Sequence, residues 1–173
     1  MNMPASSSFL LTDLLRPETI QLNLTSTRRD DVLEEMVQLI PEIAGNTEAQ
    51  NTLLRALKER EQLHSTSIGD GIAIPHARNA LVGLVPRPVI VFGRHPHGIN
   101  FGALDGELSK MFFLITSPTV TQHLAILARL SRLLRNPVLR KNLLAADKRE
   151  KVLSLIREAE ESAQFRSTPS QDS

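Results

Sequence analysis

The chain has 173 residues, enough for one domain with a single core, and its apolar and charged fractions of 41% and 23% are ordinary for a globular protein. Twenty basic against nineteen acidic side chains leave a formal charge of +1, so bulk attraction to nucleic acid or to an anionic membrane is not expected. The lack of cysteine excludes disulfides, thiolate catalysis and cysteine-based zinc sites. Since no signal peptide or membrane-spanning run is evident, we expect a cytoplasmic protein without membrane insertion.

The first half of the chain predicts one strand and two helices. Apolar and polar residues alternate over residues 20–24, which predicts a strand with one buried face. Apolar residues then recur at helical spacing over 32–40. A capping sequence at 47–50 opens a second helix that reaches about Glu61.

The second half predicts two buried strands followed by three helices. Residues 88–92 and 110–115 are runs of strand length with unbroken apolar stretches at 89–92 and 111–115, which indicates burial on both faces. The glycine-containing stretch between them reads as a loop that could include a short strand at 99–101. Helical patterns follow over 124–134, 137–144 and 147–156. The predicted fold is therefore α/β (or α+β), a central mixed sheet flanked by helices on both faces.

These elements form a single predicted domain over residues 9–160. Residues 1–8 and 161–173 are rich in small and polar side chains, a composition typical of disordered termini. No linker or internal repeat divides the chain between them.

The most unusual stretch precedes and includes His76. Gly69 and Gly71 allow tight turns, a short apolar segment follows at 72–74, and Pro75 stiffens the backbone directly before the histidine. The pattern indicates one imidazole held at a loop edge, and a neutral imidazole is a nitrogen nucleophile suited to reversible group transfer. From chemistry alone, an inert hydrogen-bonded histidine at a strand end is an equally good interpretation.

Three further side chains each have a structural and a functional interpretation. His123 falls on the apolar stripe near the start of its helix, so it is either a half-buried core histidine or a neutral hydrogen-bonding partner in a cleft. Arg60 is either a solvated charge or a guanidinium that holds phosphate oxygens. Asp70 either orients an imidazole or only shapes the Gly-Asp-Gly turn.

The sequence gives no sign of a metal or cofactor site. None of the five histidines pairs with another at helical i, i+4 spacing, and no acidic cluster accompanies them. The phosphate-binding Gly-x-x-x-x-Gly-Lys-Ser/Thr loop and the Gly-x-Ser-x-Gly nucleophile elbow are both missing. We therefore expect neither a metal nor a cofactor.

Glu-Arg-Glu at 59–61 and Ser-Thr-Ser-Ile-Gly-Asp-Gly-Ile-Ala-Ile-Pro-His at 65–76 resemble the phosphorylation segment of a known family. It is the fructose/mannitol/nitrogen class of enzyme IIA domains of the bacterial phosphotransferase system. Leu-Asp-Gly at 104–106, the strand at 111–116 and the helix at 123–130 also fit this family, so the resemblance covers nearly the whole predicted domain. It is strongest to the nitrogen-regulatory subclass, which stands alone without a fused sugar permease.

The resemblance implies a fold and a role for each site residue. Family members fold as a mixed sheet flanked by helices, with the site in a shallow depression. By this resemblance His76 is the phosphorylated histidine, Arg60 stabilises the phosphoryl group, and His123 hydrogen-bonds at the site as an orienting partner. The phosphoryl-binding loop would consist of Thr66, Gly69, Asp70 and Gly71.

The resemblance also implies a phosphotransferase reaction and its partners. The phosphoryl group would pass in line to His76 from a phosphohistidine on a small donor protein similar to HPr or its nitrogen paralogue NPr. The phosphorylation state would then regulate target proteins, such as a sensor kinase or a potassium transporter, in nitrogen metabolism or potassium transport. Two alternatives stay open: an interaction module that is not phosphorylated and regulates a partner by binding, and a sugar-specific enzyme IIA that passes phosphate to a separately encoded enzyme IIB.

Overall fold

A computed structural model of the chain describes residues 9–78, 81 and 83–167. The predicted disordered segment 1–8 lies outside these residues. Within the described part, the strands are β1 (Ile20–Gln21), β2 (Ser67–Gly69), β3 (Ile72–Ala73), β4 (Val89–Ile99) and β5 (Ser109–Thr116). They form one five-stranded sheet in the order β1-β4-β5-β3-β2. Because β1 and β3 run parallel to their central neighbours while β2–β3 and β4–β5 are antiparallel, the sheet is mixed, as the sequence predicts.

Helices cover both faces of this sheet. In the described part of the chain they are α1 (Leu11–Leu14), α2 (Arg29–Val37), α3 (Thr47–Leu63), α4 (Val120–Leu133), α5 (Pro137–Ala145) and α6 (Arg149–Ser167). Buried residues of α2 and α3 form one core on one face, and those of α1, α4, α5 and α6 form a second core on the other. The predicted arrangement of helices above and below the sheet is confirmed.

The central strand β5 explains why the sequence is apolar without interruption there. Met111, Phe113 and Ile115 belong to the core under α4–α6, whereas Phe112 and Leu114 belong to the core under α2 and α3. Successive side chains of a strand point to opposite faces, so a strand buried on both sides needs apolar residues at every position.

Strand β4 is longer than the sequence predicts. It continues to Ile99 through a stretch that the sequence pattern assigns to a loop, and its pairing with β5 shifts register between Arg94 and Ile99. The ring of His95 stabilises this irregularity, because its Nδ1 accepts the backbone N–H groups of His97 at 3.2 Å and Gly98 at 3.0 Å. A bulge breaks the two-residue alternation, so periodicity does not reveal the strand.

The C-terminal helix is also longer than predicted. α6 reaches Ser167, so residues 161–167 are helical where the sequence analysis predicts a disordered tail. Once the earlier turns of a helix are formed and docked, each further residue adds a backbone hydrogen bond, so a helix can extend into a segment whose composition predicts a tail. The rest of the predicted tail, 168–173, lies outside the described residues.

Glu160 docks this helix against the start of the domain. The side chain is only 3% exposed, and both carboxylate oxygens accept the backbone N–H of Leu11 at 2.9 Å. Burial raises the pKa of Glu160, whereas the hydrogen bonds from the N-terminal segment and the charge of Arg129 lower it. This buried carboxylate serves packing between α1 and α6.

Asn136 caps the N-terminus of α5, and replacing it tests how much this cap stabilises the domain. Its side-chain oxygen accepts the N–H groups of Val138 at 3.0 Å and Leu139 at 3.3 Å, and Pro137 occupies the first turn of α5. Asn136→Ala should cost about 1 kcal/mol of unfolding free energy and lower the melting temperature by about 2–4 °C. Asn136→Ser keeps a capping oxygen and should melt close to the parent; equal melting of both variants would contradict the role of the cap.

Candidate functional site

His76 lies at the end of an extended segment that begins with β3. β3 pairs in parallel with β5, from Ile72 opposite Met111 to a bridge between His76 and Ile115 in the same register. The N–H of Ile115 donates to the carbonyl of Pro75 at 2.9 Å. The backbone that carries the half-buried imidazole is thus held by the sheet up to the histidine itself.

The protonation of the His76 ring follows from one hydrogen bond. Its Nδ1 lies 2.6 Å from the carbonyl oxygen of Ile74. A carbonyl oxygen can only accept, so we assign the proton to Nδ1, which leaves Nε2 with a free lone pair in the neutral ring. Burial lowers the pKa of His76, the bond to Ile74 opposes this shift, and the charge of Arg60 lowers the pKa further. The result is a neutral ring with one nucleophilic nitrogen.

His123 stands beside this ring. It projects from α4, is 5% exposed, and its ring centroid lies 5.3 Å from that of His76. Burial lowers the pKa of His123, and the neighbouring His76 lowers it further. Its Nδ1 is buried and finds no hydrogen-bond partner among the residues that the structure describes. Buried ring nitrogens normally have a partner, so this one is available to a group bound at the site.

Arg60 belongs to the last turn of α3. One N–H of its guanidinium donates to the carbonyl of His64, at the end of the same helix. Its positive charge acts on the pKa of His76, which places the guanidinium within electrostatic reach of that ring. A guanidinium carries five N–H donors, so it can hold its own helix end and still face an anion.

The glycine turn lies at the other end of β3. Gly69, Asp70 and Gly71 connect β2 to β3 on the side where β3 begins, whereas His76 follows the side where β3 ends. Five residues of extended chain at roughly 3.3 Å each separate Gly71 from His76 by about 16 Å. The structure therefore does not bring these three residues to His76, and this geometry lends no support to their predicted phosphoryl-binding role.

The contacts of this turn account for its residues. Asp70 has a positive φ of 56°, and its N–H donates to a carboxylate oxygen of Asp105 at 3.1 Å. Its own carboxylate lies 3.9 Å from the guanidinium of Arg140. A Cβ at Gly69 would lie 3.1 Å from the same Asp105 carboxylate. The turn interpretation of Asp70 fits these contacts.

Thr66 lies at the His76 end of the hairpin, but its polar groups are occupied. Its N–H donates to Glu61 at 3.0 Å, its hydroxyl donates to the other oxygen of that carboxylate, and its carbonyl accepts the N–H of Ile74 at 3.0 Å. Sequence reasoning assigned no role to Glu61. The signal was its place in the helical series Leu53, Leu57, Glu61, which puts a carboxylate on the buried face of α3.

Two negative findings concern the described residues only. No three histidine or carboxylate side chains among them come together as a possible metal site. No helix in that part of the chain combines the length and apolar character needed to cross a bilayer.

The arrangement suits one kind of chemistry. His76 offers a neutral nucleophilic nitrogen, His123 offers a buried Nδ1 that has no partner among the described residues, and Arg60 offers a positive charge. These groups can receive an electrophile that carries negative oxygens, because a guanidinium and a ring N–H stabilise such charge.

The chain is similar to known proteins over most of its length. Residues 13–159 match the family described as phosphoenolpyruvate-dependent sugar phosphotransferase system, EIIA 2. The chain is 38% identical over 148 residues to the PTS system fructose-specific EIIABC component of Bacillus subtilis, covering 84% of this chain but only 23% of that protein. It is 32% identical over 151 residues to the nitrogen regulatory protein of Bradyrhizobium diazoefficiens, covering 84% and 94% of the two chains.

A solved structure agrees with both the sequence match and the fold. The nitrogen regulatory protein IIA-Ntr of Neisseria meningitidis superposes with a TM-score of 0.74 at 25% identity, covering 84% of this chain and 98% of that one. The family match extends over most of the chain and includes the segment from α3 to His76 and the helix that carries His123. The chain therefore belongs to the type-2 enzyme IIA family of the phosphoenolpyruvate-dependent sugar phosphotransferase system.

Proposed function

We propose that this chain is a cytoplasmic histidine phosphocarrier that accepts a phosphoryl group on Nε2 of His76 from an HPr-like or NPr-like donor. Its phosphorylation state would regulate target proteins, with a sensor kinase or a potassium transporter as candidates. The observation that carries the proposal is the hydrogen bond from Nδ1 of His76 to the carbonyl of Ile74, which leaves Nε2 unprotonated in the neutral ring.

In the transfer step, the phosphoryl group passes directly from the imidazole of the donor to the imidazole of His76. The lone pair on Nε2 of His76 attacks the phosphorus of the donor's phosphohistidine, and the donor's P–N bond breaks as its electron pair returns to the donor ring. Positive charge develops on the His76 ring while the new N–P bond forms. The carbonyl of Ile74, bound to the Nδ1 proton, stabilises that charge.

The second requirement of the reaction is that the negative charge on the transferred phosphoryl group is stabilised. The loose transition state of phosphoryl transfer spreads negative charge over three oxygens, so catalysis rests on positioning and electrostatics. Arg60 would stabilise these oxygens through its charge, and His123 would donate a hydrogen bond from its buried ring. No residue of the glycine turn takes part.

The surroundings of the two rings suit a protein donor. Val120 and Leu124 lie in the same turn of α4 as His123, and their side chains are 56% and 58% exposed. Large apolar side chains exposed around a polar site are typical of surfaces that bind another protein. We propose that the donor packs on these two residues while its phosphohistidine reaches His76.

His76→Ala should abolish phosphoryl acceptance without unfolding the protein, because a ring presented for reaction adds little packing. The measurement is intact mass after incubation with phosphoenolpyruvate, enzyme I and the donor protein. His64→Ala is the matched control, since it removes an exposed histidine side chain and keeps the carbonyl that Arg60 contacts. A His76→Ala protein that still gains phosphate would remove His76 from the mechanism.

His123→Ala should leave acceptance detectable but slower, or the phosphorylated form shorter-lived. The reason is its place 5.3 Å from His76, where it can orient the phosphoryl group but not replace the nucleophile. The time courses of phosphorylation and of phosphate loss measure the effect. An unchanged rate and lifetime would make His123 a core residue only.

Arg60→Gln should slow transfer by more than about tenfold, since losing one preorganised donor removes on the order of 2–4 kcal/mol of transition-state stabilisation. The melting temperature should change less than the rate, because the hydrogen bond from this half-buried side chain to the His64 carbonyl contributes about 1–2 kcal/mol to stability. Arg55→Gln on the exposed side of α3 is the control and should transfer at the parent rate. A rate for Arg60→Gln within twofold of the parent would make Arg60 a surface charge.

A sugar-specific role is the second candidate. It is favoured by the 38% identity to a fructose-specific protein, against 32% to a nitrogen regulatory one. Incubating the phosphorylated chain with a fructose-specific enzyme IIB distinguishes the two. Rapid and complete loss of phosphate to enzyme IIB would favour the sugar-specific role, and retention of phosphate would favour the regulatory one.

A further inference from the structure

Glu61 is a buried carboxylate that the proposed transfer does not use directly. It lies in the last turns of α3, next in the chain to Arg60, and is 5% exposed. Its oxygens accept the N–H and the hydroxyl of Thr66, which lies at the entrance to β2. One side chain therefore joins the end of the helix that carries Arg60 to the strand next to the His76 segment.

A chain of hydrogen bonds leads from this carboxylate to the nucleophile. Glu61 accepts the N–H of Thr66 at 3.0 Å, the carbonyl of Thr66 accepts the N–H of Ile74 at 3.0 Å, and the carbonyl of Ile74 accepts Nδ1–H of His76 at 2.6 Å. The N–H and the carbonyl of Thr66, and likewise those of Ile74, belong to different peptide groups joined through Cα, so the chain acts by fixing the position of the backbone. The last bond is the one that leaves Nε2 free for attack.

We propose that Glu61 is a positioning residue for phosphoryl transfer. It fixes Thr66 and Ile74 so that His76 keeps its proton on Nδ1, and it ties the end of the helix that carries Arg60 to the same strand. The inference rests on the proposed function for its effect on rate, but its effect on the ring is present in the unphosphorylated protein.

The effect runs through the backbone and not through the charge of Glu61. The pKa of His76 is set by burial, by the Ile74 carbonyl and by the charge of Arg60. Burial raises the pKa of Glu61, whereas the bonds from Thr66 and the charges of Arg60 and Arg29 lower it. A glutamine at position 61 could still accept the Thr66 N–H, so it should retain part of the positioning that alanine removes.

The test uses the full chain with Glu61→Ala, Glu61→Gln and Glu160→Ala. Glu160 is the matched control: it is similarly buried, its carboxylate also accepts a backbone N–H, that of Leu11, and Leu11 belongs to the opposite core. Nitrogen-15 NMR of the His76 ring measures the tautomer, intact mass over time measures the transfer rate, and thermal unfolding measures stability.

For Glu61→Ala we expect a mixed tautomer at His76 and a transfer rate at least tenfold below the parent. For Glu61→Gln, the tautomer population and the transfer rate should both lie between those of the parent and those of Glu61→Ala. Glu160→Ala should lower the melting temperature while leaving the tautomer and the rate within twofold of the parent. A pure Nδ1–H tautomer with a parental rate in Glu61→Ala would overturn the inference, and so would an equal tautomer change in Glu160→Ala.

Glu61→Met keeps the test decisive if Glu61→Ala does not fold, because methionine fills a similar volume but cannot accept the Thr66 N–H. A mixed tautomer and a slower transfer in Glu61→Met support the inference, and a pure Nδ1–H tautomer with a parental rate overturns it. The tautomer measurement also distinguishes a failure of this inference from a failure of the proposed function. A parent that takes no phosphate would refute the phosphocarrier, while the ring measurement would still decide the role of Glu61.

Discussion

The hydrogen bond between the His76 ring and the carbonyl of Ile74 is the contact on which the site depends. It exists because Ile74 and Pro75 stay in line with β3 while the chain runs beside β5, so the carbonyl and the ring two residues later face each other. β5 can hold this segment because both of its faces are buried under helices. The two-sided core thus fixes the reactive nitrogen as well as the fold.

The same burial sets the charge state of the site. Burial lowers the pKa of His76 and of His123, so both rings are predominantly neutral at neutral pH. A neutral pair can lie with ring centroids 5.3 Å apart without the repulsion that two imidazolium ions would suffer. In the proposed transfer, the positive charge that stabilises the phosphoryl oxygens would come from Arg60, because a guanidinium carries a charge at neutral pH. Nucleophile and charge would therefore be supplied by different residues.

Sequence patterns predicted the parts of this fold that follow regular periods. The apolar run at 110–115 predicted a central strand, and the motif ending at His76 predicted one imidazole at the end of a short extended segment. At the glycine turn, closeness in sequence suggested closeness in space. The chain between Asp70 and His76 is extended, so these two residues lie far apart although only six positions separate them. Glu61 was missed for the opposite reason: in a run of charges it resembles a solvated residue, and only its contact with a later strand distinguishes it.

Burying the Glu61 carboxylate lowers the stability of the fold, whereas its hydrogen bonds to Thr66 fix the backbone near the site. Burial raises the pKa of Glu61 above its value in the unfolded chain, so the folded protein binds a proton at this carboxylate more readily than the unfolded chain does. The unfolding free energy therefore falls as the pH rises from the unfolded pKa through the folded pKa of Glu61. At neutral pH the ionised carboxylate therefore opposes folding, and two bonds from Thr66 only partly offset this. An apolar residue on the stripe of Leu53 and Leu57 would avoid the penalty but could not accept the Thr66 N–H. The penalty is accounted for if the position serves the site, because that acceptor begins the hydrogen-bond chain that ends at the His76 ring.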